Sequence, residues 1–504
     1  MIRVPTTPFL GLTAVTLVVF VSGCDRKPGP ETASATTTDS VAVSEADKGA
    51  IPISGGSEEA RRLYFEGRAL AENLRVHDGR VLFQQAAEAD PSFAMAHYQL
   101  AVNSATAKDF FEHLKQAAAL AERASEGERL MILALEAGGN ARPTQALEYQ
   151  KELVAKYPED ERAHFLLGGG WFGQQEFDKA IEQYRKAIEI DPRYSPAYNL
   201  LGYAYRQVGK YDDAELAFKK YIELIPGDPN PYDSYAELLM KTGRFDESIA
   251  QYRKALGVNA QFTPSKVGIA TNLMLQGKHT DAAAEMERLY AAARDDGERR
   301  NALFTKAVIL VDAGNTDAAV KEIEREYALD AKLGDSANMS GDAQLIGNIL
   351  LAAGRTDEAA KRFWQALDLV EKSSLSDEVK TDTRLADHYN KGRVALAKGD
   401  LVMAKTEAKA YGDGAEARQN ALRLRQAHEL AAGIAMKEKQ YDDALAHFGK
   451  ANQQDPQVLY QTALVWQAKG DAAKAKEFAT RAANANVLPL MTYAFVREKA
   501  KKLS

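Results

Sequence analysis

A residue with little or no side chain returns at a nearly fixed interval between residues 67 and 270 of this chain. Gly67, Ala101, Ala134, Gly168, Gly202, Ala236 and Ala270 follow a spacing of 34 (202 − 168, 236 − 202, 270 − 236), with one interval of 33 (134 − 101). A period of this size is the mark of a repeat architecture, in which each unit buries its apolar face only against its neighbours. A second small residue follows in several units at Ala146, Ala180, Ala214, Ser248 and Ala282. One helical turn later a bulky residue stands at Tyr184, Phe218, Tyr252 and Met286. Two helices per unit are implied. Prolines at Pro91, Pro158, Pro192 and Pro226 close the units, because proline lacks an amide donor and clashes with the preceding helical turn. The turn between the two helices recurs as Gln175-Glu176-Phe177-Asp178, Gly209-Lys210-Tyr211-Asp212, Gly243-Arg244-Phe245-Asp246 and Lys439-Gln440-Tyr441-Asp442.

With these residues the sequence resembles the tetratricopeptide repeat family, whose 34-residue unit is a helical hairpin. Gly168, Trp171, Ala180, Tyr184, Ala187 and Pro192 fall on that family's small, aromatic and proline positions, and Gly202, Tyr205, Ala214, Phe218 and Pro226 do so one unit later. Tyr221 departs from the small residue usual at its position. The resemblance implies an all-α fold, a right-handed superhelical solenoid of about twelve hairpins. Residues 57–290 read as a regular array, 291–424 as degenerate repeats marked by Gly314, Gly354 and Gly399, and 425–504 as further repeats with a capping helix. Glycine or alanine at the helix crossings lets the two backbones approach closely, and the aromatic fills the groove beside the next hairpin.

The family commonly binds an extended peptide or a partner helix on its concave wall. Carried over by register, that wall offers Arg162, Phe165, Gly169 and Phe172, then Asn199, Tyr203, Arg206 and Gln207, then Asp233, Glu237, Met240 and Lys241. Aromatic anchors mixed with hydrogen-bonding groups suit a binding surface. Nothing here resembles the lysine, asparagine and arginine clamp of chaperone-tail receptors.

The N-terminus carries a different signal. Arg3 supplies a positive charge, Phe9 to Val21 form an apolar stretch, and Val21-Ser22-Gly23-Cys24 ends it with small residues before a cysteine. The run falls short of the ~20 residues needed to span a bilayer, so it reads as an export signal over residues 1–23. The tetrapeptide resembles a bacterial lipobox, which implies cleavage before Cys24 and lipidation of that residue. Several acyl chains together exceed the threshold for stable anchoring. Asp25 resembles an inner-membrane retention signal, which favours that membrane over the outer one on the periplasmic side. Residues 24–56, with Pro28, Pro30 and Thr36-Thr37-Thr38, read as a disordered tether. Cys24 is the one cysteine, so no disulfide forms within a molecule.

Chemistry is sparse. The eight histidines are scattered without HExxH or paired His/Cys spacing, so no metal, cofactor or catalytic group is expected. Gly168 to Gly173 formally satisfies GxGxxG but lies inside a repeat helix, not after a strand. Glycines in a helix cost about 1 kcal/mol each, and a close backbone contact or an approaching peptide would offset that. The 64 basic and 71 acidic residues are interleaved, which gives no nucleic-acid footprint. The expected function is a lipid-anchored, extracytoplasmic scaffold for other proteins of an envelope complex. The alternative is a lipoprotein that captures a peptide or glycan.

Overall fold

The computed structural model describes residues 49–72, 75–104 and 106–504. Cys24, Asp25, the export signal and most of the tether lie outside the described residues. Within them the chain is α-helical without a strand.

Twelve antiparallel hairpins follow one another. The first six are α1 (Glu58–Glu72) with α2 (Val76–Ala89), α3 (Ala94–Val102) with α4 (Ala107–Leu120), α5 (Glu126–Gly139) with α6 (Pro143–Lys156), α7 (Glu161–Gly173) with α8 (Phe177–Ile190), α9 (Ser195–Gln207) with α10 (Tyr211–Leu224), and α11 (Asn230–Lys241) with α12 (Phe245–Val258). The next six are α13 (Thr263–Leu275) with α14 (His279–Ala291), α15 (Asp296–Asp312) with α16 (Thr316–Leu333), α17 (Ser336–Ala352) with α18 (Thr356–Glu371), α19 (Asp377–Lys398) with α20 (Leu401–Ala417), α21 (Ala421–Lys437) with α22 (Tyr441–Lys450), and α23 (Pro456–Ala468) with α24 (Ala472–Ala483). A single helix, α25 (Met491–Leu503), completes the array. The expected all-α solenoid is therefore what the chain forms, and its hairpins continue through the stretch where the sequence period loosens.

Ten of the twelve hairpin turns, from α5–α6 to α23–α24, are built the same way. The chain passes through positive φ at Ala141, Gln175, Gly209, Gly243, Gly277, Gly314, Gly354, Gly399, Lys439 and Gly470. The next amide then reaches back over the helix end, as Lys210 N–H does to Tyr205 O (2.9 Å), Arg355 N–H to Leu350 O (2.9 Å) and Gln440 N–H to Ala435 O (2.9 Å). These bonds satisfy carbonyls that the helix would otherwise leave open.

The crossing geometry refines the expectation for the aromatics. A Cβ at Gly168 would lie 2.5 Å from the ring of Tyr184, one at Gly202 would lie 2.6 Å from Phe218, and Gly347 stands in the same relation to Phe363. The ring thus sits over the bare backbone of its own hairpin. Tyr184 and Phe218 are fully buried there, with Ala180 and Ala214 beside them. Pro192 and Pro226 are exposed, and their carbonyls accept from Tyr198 Oη and Tyr232 Oη, both at 3.1 Å. His97 and His164 reach Pro91 O (3.1 Å) and Pro158 O (3.0 Å) from the same register position.

The superhelix closes on itself. Residues 222 to 275 apart in sequence are joined by Lys108 N–H to Asp335 Oδ2 (3.1 Å), Ser376 Oγ to Asn140 Oδ1 (2.7 Å), Thr144 Oγ1 to Gln419 O (3.0 Å), Arg425 Nη2 to Gln174 O (3.0 Å), Lys241 Nζ to Ala485 O (2.7 Å) and Arg497 Nη2 to Leu275 O (2.6 Å). About seven 34-residue units complete one turn, and the hairpin turns of the first coil meet the inter-hairpin loops of the second. Helix α25 packs on α23 and α24 and also on α15. Its Met491, Tyr493 and Ala494 enter one core with Met240, Met274 and Leu275. Arg497, 2% exposed, bonds Asp312 Oδ2 at 2.5 Å.

Substituting Gly202→Val should drive a branched side chain into the Phe218 ring and destabilise the array by about 1–3 kcal/mol. A melting curve read by circular dichroism checks this; an unchanged midpoint would contradict the packing described.

Candidate functional site

The concave wall is lined by the first helix of each hairpin, and the sequence-derived residues there divide into two groups. One group is engaged inside the protein. Tyr203, Asp233 and Glu237 are buried. Tyr203 Oη donates to Glu237 Oε1 at 2.9 Å, and Arg206 Nη1 donates to Glu237 Oε2 at 3.1 Å while its guanidinium lies over the Tyr203 ring. Asp233 Oδ1 accepts from Ser265 Oγ at 2.7 Å. These side chains bind α9 to α11 and α11 to α13. Met240 is fully buried in the core that α25 completes, and Lys241 bonds Ala485 O across the coil. Burial and the nearby Arg206 charge bring the Lys241 ammonium down to about 8.

Arg162 is engaged from another direction. It pairs with the fully buried Asp160, which caps α7, and its Nη2 donates to Ile51 O at 3.1 Å. Ile51 N–H donates in turn to Asp160 Oδ2 at 2.7 Å, and Ser125 Oγ donates to Pro52 O at 2.7 Å. Residues 51–54, from the stretch read as tether, therefore lie across the starts of α5 and α7. Phe172 is 8% exposed and stacks edge-on against Phe177. Asn199 is buried and Gln207 half-buried.

The second group opens into a pocket of about 160 Å³. Phe165 lines it, together with Tyr98 and Val102 of α3, Met131, Leu135 and Gly138 of α5, and Gly169, Gly170 and Gly173 of α7. Its far side is formed by Asn420, Ala421 and Leu422 at the start of α21, from the second coil. The glycine run gains a physical reason here. Gly168 makes room for Tyr184, a Cβ at Gly170 would run into Gln150 Oε1, and Gly169 forms pocket floor. Tyr98, Val102, Met131 and Leu135 stand at the same repeat positions as Phe165 and Gly169, so extending the concave register one and two hairpins back finds them. The α21 residues carry no such signal.

Among the described residues no group of three or more His, Cys, Asp or Glu is placed to hold a metal ion, and no helix is long and apolar enough to cross a membrane.

Comparison with known proteins agrees with this geometry. Residues 172–209 match a model described as a TPR repeat, and residues 195–228, 236–296 and 267–335 match models described as tetratricopeptide repeats. These segments are tetratricopeptide repeats. Among curated proteins, none matches the chain in sequence. Three solved structures illustrate the similarity. A tetratricopeptide repeat protein from Parabacteroides merdae is 17% identical, with 51% of this chain and 98% of that one covered and a TM-score of 0.36. The APC/C hetero-tetramer Cut9-Hcn1 gives 15% identity, 85% and 77% coverage and a TM-score of 0.42. A thermophilic TPR protein of Thermus thermophilus gives 23% identity, 43% and 99% coverage and a TM-score of 0.29.

Burial, with the Glu237 carboxylate beside it, pushes Asp233 up to about 7. Its folded-state pKa lies above the unfolded value near 4, so the folded chain holds a proton that the unfolded chain releases. Stability linked to this group is present below pH ~4 and is lost as pH rises through about 7. Asp233→Asn should therefore melt several degrees above the wild type at pH 8, with the gain fading toward pH 4. Melting curves across that range decide it, and a pH-independent difference would refute the assignment.

Proposed function

We propose that this chain is a lipid-anchored, extracytoplasmic scaffold that holds other proteins of an envelope complex on its concave wall. The repeat fold is typical of protein–protein interaction scaffolds, and repeats of this kind are generally non-enzymatic. The observation that carries the reading is the wall itself: stacked first helices present an apolar, aromatic-lined recess from α3 to α7 with half-buried polar residues such as Gln207 beyond it. Such a surface offers anchor pockets ringed by hydrogen-bonding groups, as recognition sites do.

Support for the anchor comes from the sequence. The charged start, the apolar run and Val21-Ser22-Gly23-Cys24 together fit an exported lipoprotein, with Cys24 as the acylated residue and Asp25 favouring the inner membrane. A protein partner, with no nucleic acid and no cofactor, is the expectation that goes with this placement.

Two experiments test the proposal. Cys24→Ser should move the protein from the membrane to the soluble fraction or block its maturation, and normal membrane fractionation of that variant would count against lipidation. A photo-crosslinking amino acid at Gln207, on the wall, should trap discrete protein adducts in intact cells. The same group at Leu216, on the exposed outer face, should not, and equal labelling at both positions would remove the concave wall from the account.

A further inference from the structure

A donor without an acceptor lines the pocket between α3 and α7. Asn420, at the start of α21, reaches it from the second coil and is only 1% exposed. Its Oδ1 caps the helix, accepting from the backbone amides of Leu422 and Arg423, both at 3.1 Å. Those two bonds fix the orientation of the carboxamide and turn Nδ2 away from α21, where it donates to no group among the described residues. A buried amide N–H without an acceptor is costly, and native proteins seldom leave one. The loop that carries Asn420 is pinned across the coils. Gln419 stands at φ 49°, a region unfavourable to a residue with a Cβ, and its carbonyl accepts from Thr144 Oγ1, another lining residue, at 3.0 Å.

The walls are apolar. Tyr98, Val102, Met131, Leu135 and Phe165 stand over the Gly169-Gly170 floor, and no residue of the lining carries a formal charge. An ion placed here would lose its hydration without a counter-charge to replace it, which restricts the occupant to neutral molecules. The volume of about 160 Å³ matches the ~150 Å³ of an apolar cavity that admits one benzene ring. The space thus holds one ring with a short substituent, and lacks the length an extended peptide needs.

We propose that this pocket binds a small neutral aromatic molecule that carries a carbonyl acceptor. The ring lies over the glycine floor, and the carbonyl oxygen accepts from Asn420 Nδ2. Because the floor belongs to the first coil and Asn420 to the second, the bound molecule touches both and resists their separation. This site goes beyond the scaffold reading and does not depend on it.

The probe is acetophenone, added to the purified full chain and followed by calorimetry and thermal unfolding. Ethylbenzene keeps the skeleton without the acceptor, and 1-phenylethylamine replaces the acceptor by a cation. Acetophenone should bind saturably and raise the melting temperature. Ethylbenzene should bind roughly ten-fold more weakly, the measure of a lost hydrogen bond to a buried donor, and the amine should not bind. Asn420→Ser keeps an oxygen at the helix cap and removes the amide donor. It should lower acetophenone to the level of ethylbenzene and leave ethylbenzene unchanged, which also shows that the variant is folded. Leu135→Trp, which fills the pocket, should abolish binding of both while the helical circular dichroism is retained. Equal affinity for acetophenone and ethylbenzene, or a preference that survives Asn420→Ser, overturns the acceptor assignment. No saturable acetophenone binding overturns the site. Tighter binding of N-acetylphenylalanine amide than of acetophenone overturns the small-molecule assignment in favour of a side chain from a polypeptide.

Discussion

Where Gly168 and Gly202 leave their helices without a Cβ, the rings of Tyr184 and Phe218 occupy the vacated space. That contact sets the distance between the two helices of a hairpin, and the distance sets everything built on it. A hairpin so closed exposes one apolar face to the next, which repeats the operation. Stability then accumulates across neighbour interfaces instead of around a central core. The hairpin turns from α5–α6 onward serve the same geometry, since a left-handed residue at each of them reverses the chain in the fewest residues and closes the open carbonyls.

Stacking alone would leave an open spring. Here the coils touch, and the junction changes what the concave wall can do. From α9 to α13 the wall residues Tyr203, Arg206, Asp233 and Glu237 hold neighbouring helices together, and Lys241 reaches the second coil. From α3 to α7 the wall stays apolar and hollow, floored by glycine and closed by α21. The division follows from side-chain size: a carboxylate or tyrosine at the wall positions reaches its neighbour, whereas glycine leaves a void. At the end of the chain, Arg497 ties α25 to Asp312, so the last helix covers the final hairpin and fastens it to the middle of the array.

Most of the fold was legible in the sequence because its determinants lie within one repeat. The period, the paired small residues, the aromatic sixteen positions on (184 − 168, 218 − 202) and the closing proline are all local. The degenerate stretches are legible from turn glycines with a small residue five positions on; Gly314, Gly354 and Gly399 do carry positive φ, and Ala319, Ala359 and Ala404 are fully buried. The candidate site was legible only in part. Phe165 lies in the pocket, but Arg162 bonds Ile51, Met240 sits in a core closed by α25, and the pocket's far side comes from Asn420 to Leu422. Each of these depends on a partner more than a hundred residues away, about which a repeat register is silent. The register fixes which face a residue occupies and not what the next coil brings against it.

The account stands on contact between successive coils, and the pairing of Lys108 with the region of Asp335 reports it directly. Spin labels on cysteines placed at Lys108 and Lys332, both exposed, in a background lacking Cys24, give their separation by double electron–electron resonance. A closed superhelix predicts a single narrow distribution at short distance. A broad distribution centred far beyond it would mean that the coils stand apart, and with them the pocket and the capped C-terminus would be lost.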